Sequence, residues 1–191
     1  MRRLPLALLA AALIWLALRQ AWDPALGWVT QGLSRLFEAP WATQIVVDQD
    51  HAIIGRRDMR ADSGRLSQSL TQIEFNLVPF LALVLAIKGW WRQDGLQRLG
   101  GALLLFFMSH VLSLLWHVKY FFATSLGPWS QAGYSDAARQ VYGALRYFFD
   151  IPVTFTLPLL LWVGFFSTKV FALLEIEEAI PPGGTRRGKA R

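Results

Sequence analysis

The chain contains no cysteine. That excludes disulfides, thiolate metal sites, iron–sulfur clusters and any cysteine nucleophile. Charge is also scarce. Charged residues make up 17% of the 191 positions and apolar residues 54%, where a soluble domain has about a quarter charged and about half apolar. No Gly-rich dinucleotide or phosphate loop, no HExxH and no GxSxG is present, so the usual soluble-enzyme signatures are missing. Acids are fewer than bases, 13 against 19, for a net charge of +6. The bases do not form a stripe, so no nucleic-acid partner is expected. Aromatics, by contrast, are plentiful, with 9 Trp and 13 Phe. The length suits one domain, read as residues 1–180 with a tail at 181–191.

The apolar residues are grouped. A membrane-crossing helix needs about 20 mostly apolar residues. Four stretches come close: about 4–22, 75–91, 101–120 and 151–171. Trp22, Trp90, Trp91, Trp116, Tyr120 and Tyr147 fall near their ends, where amphipathic rings settle at an interface. The first stretch has a basic start, which also fits a cleaved signal peptide. Arg19 follows the apolar run directly, and no small-x-small site does, which favours an uncleaved anchor. The expected fold class is therefore an all-α transmembrane bundle of four helices, carrying a small extracytoplasmic β-hairpin or meander and amphipathic interfacial helices.

Orientation follows from the bases near the span ends. With the amino terminus inside, ten bases (Arg2, Arg3, Lys88, Arg92, Arg98, Lys169, Arg186, Arg187, Lys189, Arg191) and four acids lie on the inner side. The outer side holds nine of each, so the whole net charge of +6 lies on one face. Both termini are expected in the cytoplasm. The Pro/Gly-rich basic tail at 181–191 has little to bury and is expected to be disordered, within reach of anionic lipid.

The outer material lies mainly at 23–74. Leu26, Val29, Leu33, Leu36 and Phe37 recur at helical spacing after Asp23-Pro24, which predicts an amphipathic helix on the interface or against the bundle. Gln44–Arg57 places β-branched runs around Asp48-Gln49-Asp50, a hairpin pattern, and Arg65–Thr71 offers a third strand. In the second outer loop, Ser135 is placed to cap a helix through Ala138, Val141, Tyr142, Leu145 and Phe149, and Pro152 should kink it.

Polar side chains within bilayer spans are costly, so they mark cavities or interhelical ties. Span three carries His110, Ser113 and His117 on one face. Asn76 and Thr154 lie near the outer ends of their spans, so they are expected beside His117, with His110 about two turns deeper. Together these five residues predict a polar cleft opening outward, with Arg56 and Arg57 near its mouth as candidate docking residues. Seven residues of helix separate the two histidines by roughly 10 Å, too far to share a metal ion, and His51 lies in an outer loop. No metal or cofactor is expected. His117 suits proton relay or acid–base chemistry. Interhelical hydrogen bonding is the other reading, and it is the stronger one for His110.

The order of features resembles a known group. A short first span, an outer helix, a β-rich segment and a span beginning in Ile73–Ala86 (IEFNLVPFLALVLA) are similar to the small membrane proteins associated with exosortases. In that group the span opens with a Phe/Ile-Asn-Pro-Leu pattern, whereas here Asn76-Leu77-Val78 precede Pro79. Exosortases are polytopic transpeptidases of the outer face of the bacterial inner membrane, using Cys, Arg and His on substrates with carboxy-terminal sorting signals. A cysteine-free chain cannot perform that chemistry. The resemblance implies a non-enzymatic, multi-pass inner-membrane accessory protein, with the bilayer and an exosortase-type transpeptidase or its substrate tail as partners. The rival expectation is a small membrane enzyme or transporter using the cleft around His117.

Overall fold

In the computed structural model, residues 4–38, 42–59, 64–87 and 89–173 are described. The basic tail at 181–191, and Arg2, Arg3 and Lys88 of the charge argument, lie outside the described residues. Among the described residues, three helices are long and apolar enough to cross a membrane: Leu4–Leu36, Gln93–Thr124 and the continuous run Asp136–Ser167. Their outward faces are strongly apolar. Leu6, Leu9 and Leu13 on the first, Leu104, Leu105 and Met108 on the second, and Phe155, Leu159 and Leu160 on the third are all exposed. Such an area of exposed apolar surface calls for a partner or a lipid phase.

Helix α1 (Leu4–Leu36) is 33 residues long, about 50 Å at 1.5 Å per residue, which is well beyond a hydrocarbon core of about 30 Å. It runs through Pro24 without ending. The separate interfacial helix expected from Asp23-Pro24 is thus the carboxy-terminal half of α1. Its buried stripe of Leu26, Gly27, Thr30 and Ser34 faces protein, not an interface. Burial of that stripe offsets the one backbone hydrogen bond that proline removes.

The stripe meets a three-stranded antiparallel meander in the order β1-β2-β3. Strands β1 (Thr43–Asp48) and β2 (His51–Arg56) pair from Thr43↔Arg56 to Asp48↔His51, around a turn with Gln49 at φ 54°. Strand β3 (Leu66–Ser69) pairs with β2. The edge of β1 is covered by α1, as exposed edges generally must be. Gln31 accepts from Ile45 N–H at 2.7 Å, Glu38 from Thr43 N–H at 3.1 Å, and Arg35 donates to the Thr43 carbonyl at 2.9 Å.

Chain from β3 passes directly into α2 (Leu70–Glu74), breaks at Phe75-Asn76, and continues as α3 (Leu77–Ala86). Pro79 explains the break. It has no N–H for the Phe75 carbonyl, which accepts from Val78 at 3.1 Å instead. The second span expected at 75–91 is therefore a helix of only 10 residues, and Ile87 leaves it in extended conformation. A positive-φ Gly89 then turns the chain toward α4 (Gln93–Thr124). After the short α5 (Pro128–Gly133), Ser135 caps α6 (Asp136–Phe148) by accepting from Ala138 N–H at 3.2 Å. Pro152 does not break the run. It sits in one π turn, Phe149–Val153, which leads into α7 (Thr154–Leu173).

Two apolar cores result. One joins α1, α3, α4 and α7 through Ala11, Phe80, Phe106, Leu161 and Phe166. The other joins the carboxy-terminal half of α1, the sheet, α2 and α4 through Leu26, Ile54, Leu70, Ile73, Leu114 and Phe122. Between them lies a layer of buried polar side chains.

Candidate functional site

The five expected cleft residues are all buried: Asn76, His110, Ser113, His117 and Thr154. They do not form one cleft. His110 on α4 is fully tied. Trp22 Nε1–H of α1 donates to its Nδ1 at 3.3 Å, and its Nε2 lies 3.0 Å from Asn76 Oδ1. The indole is only a donor, so Nδ1 is the bare nitrogen and Nε2–H donates to Asn76. One ring thereby joins three elements in the polar layer. Asn76 pairs with His110 and not with His117 because the chain has already entered the bundle through α2, which carries Asn76 deeper than a span beginning at Phe75 would.

His117, two turns further along α4, belongs to a different place. Its Nδ1–H donates to the Ser113 carbonyl at 2.9 Å. Its Nε2 lies 3.3 Å from Asp150 Oδ1, and Arg146 Nε lies 3.4 Å from Asp150 Oδ2. The wide π turn aims Asp150 back toward α4. These groups line a cavity of about 390 Å³, with Gln68, Thr71 and Gln72 from the sheet and α2 on one side and Thr154 on the other. Ser113 holds the histidine through its backbone carbonyl and not its hydroxyl. Among the described residues no serine hydroxyl is bonded to His117, and the arrangement is a His–Asp–Arg chain.

No family model, no curated protein and no solved structure matches the chain.

Arg56 and Arg57 do not lie at the mouth of that cavity. The Arg56 side chain is 8% exposed and fully engaged. Asp58 binds it twice, at 2.9 and 2.7 Å, and its guanidinium lies 4.6 Å above the Trp129 ring. It locks the sheet to the α4–α5 corner, and Glu38 adds ion pairs to Arg56 at 3.8 Å and Lys119 at 3.7 Å. Arg57 is exposed. Bidentate pairing with Arg56 holds the Asp58 carboxyl below the usual carboxylate range.

Asp150 and Arg146 belong to no motif in the sequence and stand out only in the structure. The same holds for the grouping of Arg19, Asp23 and Glu74 in the polar layer. The available signal was spacing: Arg146/Asp150 and Arg19/Asp23 are each four apart, and opposite charges at that interval meet on a helix. Among the described residues, no group of three His, Cys, Asp or Glu side chains is placed to hold a metal ion.

Proposed function

We propose that the chain is an integral protein of the bacterial inner membrane that assists exosortase-type protein sorting as a non-enzymatic docking subunit. The three long apolar helices and their exposed leucines support the membrane setting. In this reading the α2–α3 segment is the fourth, interrupted crossing, buried among the others, and the sheet, α5 and α6 lie on the outer face. The starting end of α1 and the far end of α7 lie on the cytoplasmic side, as the basic residues there require.

The observation that carries the docking role is the cavity between α2, α4 and the α6–α7 turn. It presents the amides of Gln68 and Gln72 beside His117, Arg146 and Asp150, with no bonded nucleophile. Carboxamides, a guanidinium and a carboxylate offer the donors and acceptors that an extended polypeptide segment needs. The segment that fits the resemblance is a partner transpeptidase loop or a substrate tail.

Deletion tests the role. Substrates carrying carboxy-terminal sorting signals should accumulate unprocessed, and a membrane transpeptidase should copurify with the tagged protein. Unchanged sorting in the deletion strain would remove the proposal. The His117–Asp150 pair favours a second reading, proton-linked chemistry or transport. His117→Ala with normal membrane abundance but a lost activity would favour that reading.

A further inference from the structure

The polar layer holds an unbalanced charge. Arg19 of α1 reaches Asp23 Oδ2 at 3.2 Å, one turn along, and its Nε lies 3.9 Å from Glu74 Oε2 of α2. Its guanidinium also lies 5.0 Å over the Trp15 ring. Glu74 is 0% exposed and Asp23 is 4% exposed. Asp23 Oδ1 and both Glu74 oxygens have no hydrogen-bond donor among the described residues. Both carboxyls nevertheless converge on the one Arg19 guanidinium.

Two carboxylates and one guanidinium leave one negative charge in a buried place. An uncompensated buried charge is among the costliest arrangements in a protein. The buried carboxylate oxygens without a donor are also acceptors with nothing to accept. One proton resolves both defects. A neutral Glu74 hydroxyl donates to Asp23, and the remaining carboxylate balances Arg19.

We propose that Asp23 and Glu74 form a proton-binding site, in which the two carboxyls share one proton that exchanges through the adjoining cavity. That cavity, about 440 Å³, is lined by Arg19, Gln20 and Asp23 of α1 and by Gln49 and Asp50 of the β1–β2 turn. It gives the pair a route to the outer side. The other ionisable groups that face this place are few. Asp50 stands across the cavity with its carboxylate on His51 Nδ1, 2.6 Å away, and on α4 His110 is occupied by Trp22 and Asn76. Among the described residues Arg19 is thus the one cation in direct reach, and it neutralises one of the two carboxyls. The site joins α1 to α2, so taking up or losing the proton acts on the junction between the first helix and the sheet-bearing segment. It is independent of what the His117 cavity receives.

Infrared spectroscopy of the full-length protein in lipid vesicles tests this directly. At neutral pH the wild type should show the C=O stretch of a protonated carboxyl, shifted in D₂O and lost when the bath is made strongly alkaline. Glu74→Gln and Asp23→Asn should each abolish that band, because each leaves Arg19 with a single ionised partner. Both are neutral isosteres, and circular dichroism checks that each variant folds. The wild-type spectrum stands as a test without them. Absence of the band in the wild type at neutral pH would overturn the proposal, as would its persistence in both variants. Loss of the band in sodium chloride but not in choline chloride would also overturn it, by assigning the site to a metal cation.

Discussion

His117 and Asp150 are linked by a proton that neither can dispense with. The Ser113 carbonyl, 2.9 Å from Nδ1, requires a hydrogen on that nitrogen. Asp150 Oδ1, 3.3 Å from Nε2, requires another on the far side of the ring. Either the imidazole is doubly protonated or the acid carries the proton. In the first case α4 is joined to the π turn by an ion pair, and in the second by a neutral O–H···N bond. Arg146 completes the chain on the other oxygen of Asp150. The turn created by Pro152 is what brings this carboxylate within reach of His117.

Replacing Asp150 separates geometry from charge. Asp150→Asn can donate from its amide to a bare Nε2, so a neutral ring keeps both of its hydrogen bonds. Asp150→Ala leaves Nε2 and Arg146 without that partner, at a cost of about 1 kcal/mol for a partly exposed group. Thermal unfolding in detergent should place Asp150→Asn near the wild type and Asp150→Ala below it. Equal destabilisation by both would show that the proton-sharing account is wrong.

The two histidines should behave differently. His110 fills space between the two cores and satisfies Trp22 and Asn76, so His110→Ala should cost about 2–4 kcal/mol and lower the amount of protein in membranes. His117 borders a cavity, so truncating it opens existing space and should leave abundance nearer normal. Quantifying both variants in membrane fractions, beside a sorting readout, decides the matter. Normal abundance for His110→Ala would remove its role as the tie between helices.

The elements that were legible are those that local chemistry dictates. Asp48-Gln49-Asp50 between β-branched runs specified the hairpin, and Ser135 specified the start of α6. Long-range placement was not legible. Pro24 read as a helix start because a proline is favoured there, yet the buried Leu26–Thr30 stripe carried α1 through it. Pro79 read as a member of one span, yet its missing N–H divided α2 from α3 and moved Asn76 from His117 to His110. The residues expected to share one outward cleft are divided between two places, because their partners, Trp22, Arg146 and Asp150, lie on other elements, and no periodicity within one helix reveals a partner across the bundle.

Gly27 tests the contact between α1 and the sheet. A Cβ there would lie 2.6 Å from Val47 Cγ2, whereas one at Gly32 meets nothing within 4 Å. Gly27→Ala should therefore destabilise by about 1–3 kcal/mol through overpacking. Gly32→Ala should stabilise by up to about 1 kcal/mol through helix propensity. Trimming the obstacle should rescue the first variant, so Gly27→Ala with Val47→Ala should be more stable than the two separate losses added together. Simple additivity in denaturation midpoints would mean that the sheet does not rest on this glycine.

Acid should loosen the sheet at its other anchor. Because Arg56 holds the folded Asp58 carboxyl below its ordinary range, the pair adds stability above the unfolded value of about 3.9, and that contribution is lost as pH falls through the lowered folded value. Asp58 is partly exposed, so solvent screens the effect and keeps it small. Arg56 itself carries more of the anchor, since its planar group both grips Asp58 twice and lies over Trp129. Lysine can reproduce neither the fork nor the stacking. Arg56→Lys should therefore increase proteolytic cleavage in the residues linking β2 and β3 at neutral pH, to a greater degree than Asp58→Asn does. Acidification toward the ordinary carboxylate range and below should increase cleavage of the wild type with an acid-active protease, while Asp58→Asn should respond less. A pH response of equal size in Asp58→Asn and the wild type would assign the loosening to another carboxylate, with Glu38 beside Arg56 and Lys119 the next to test.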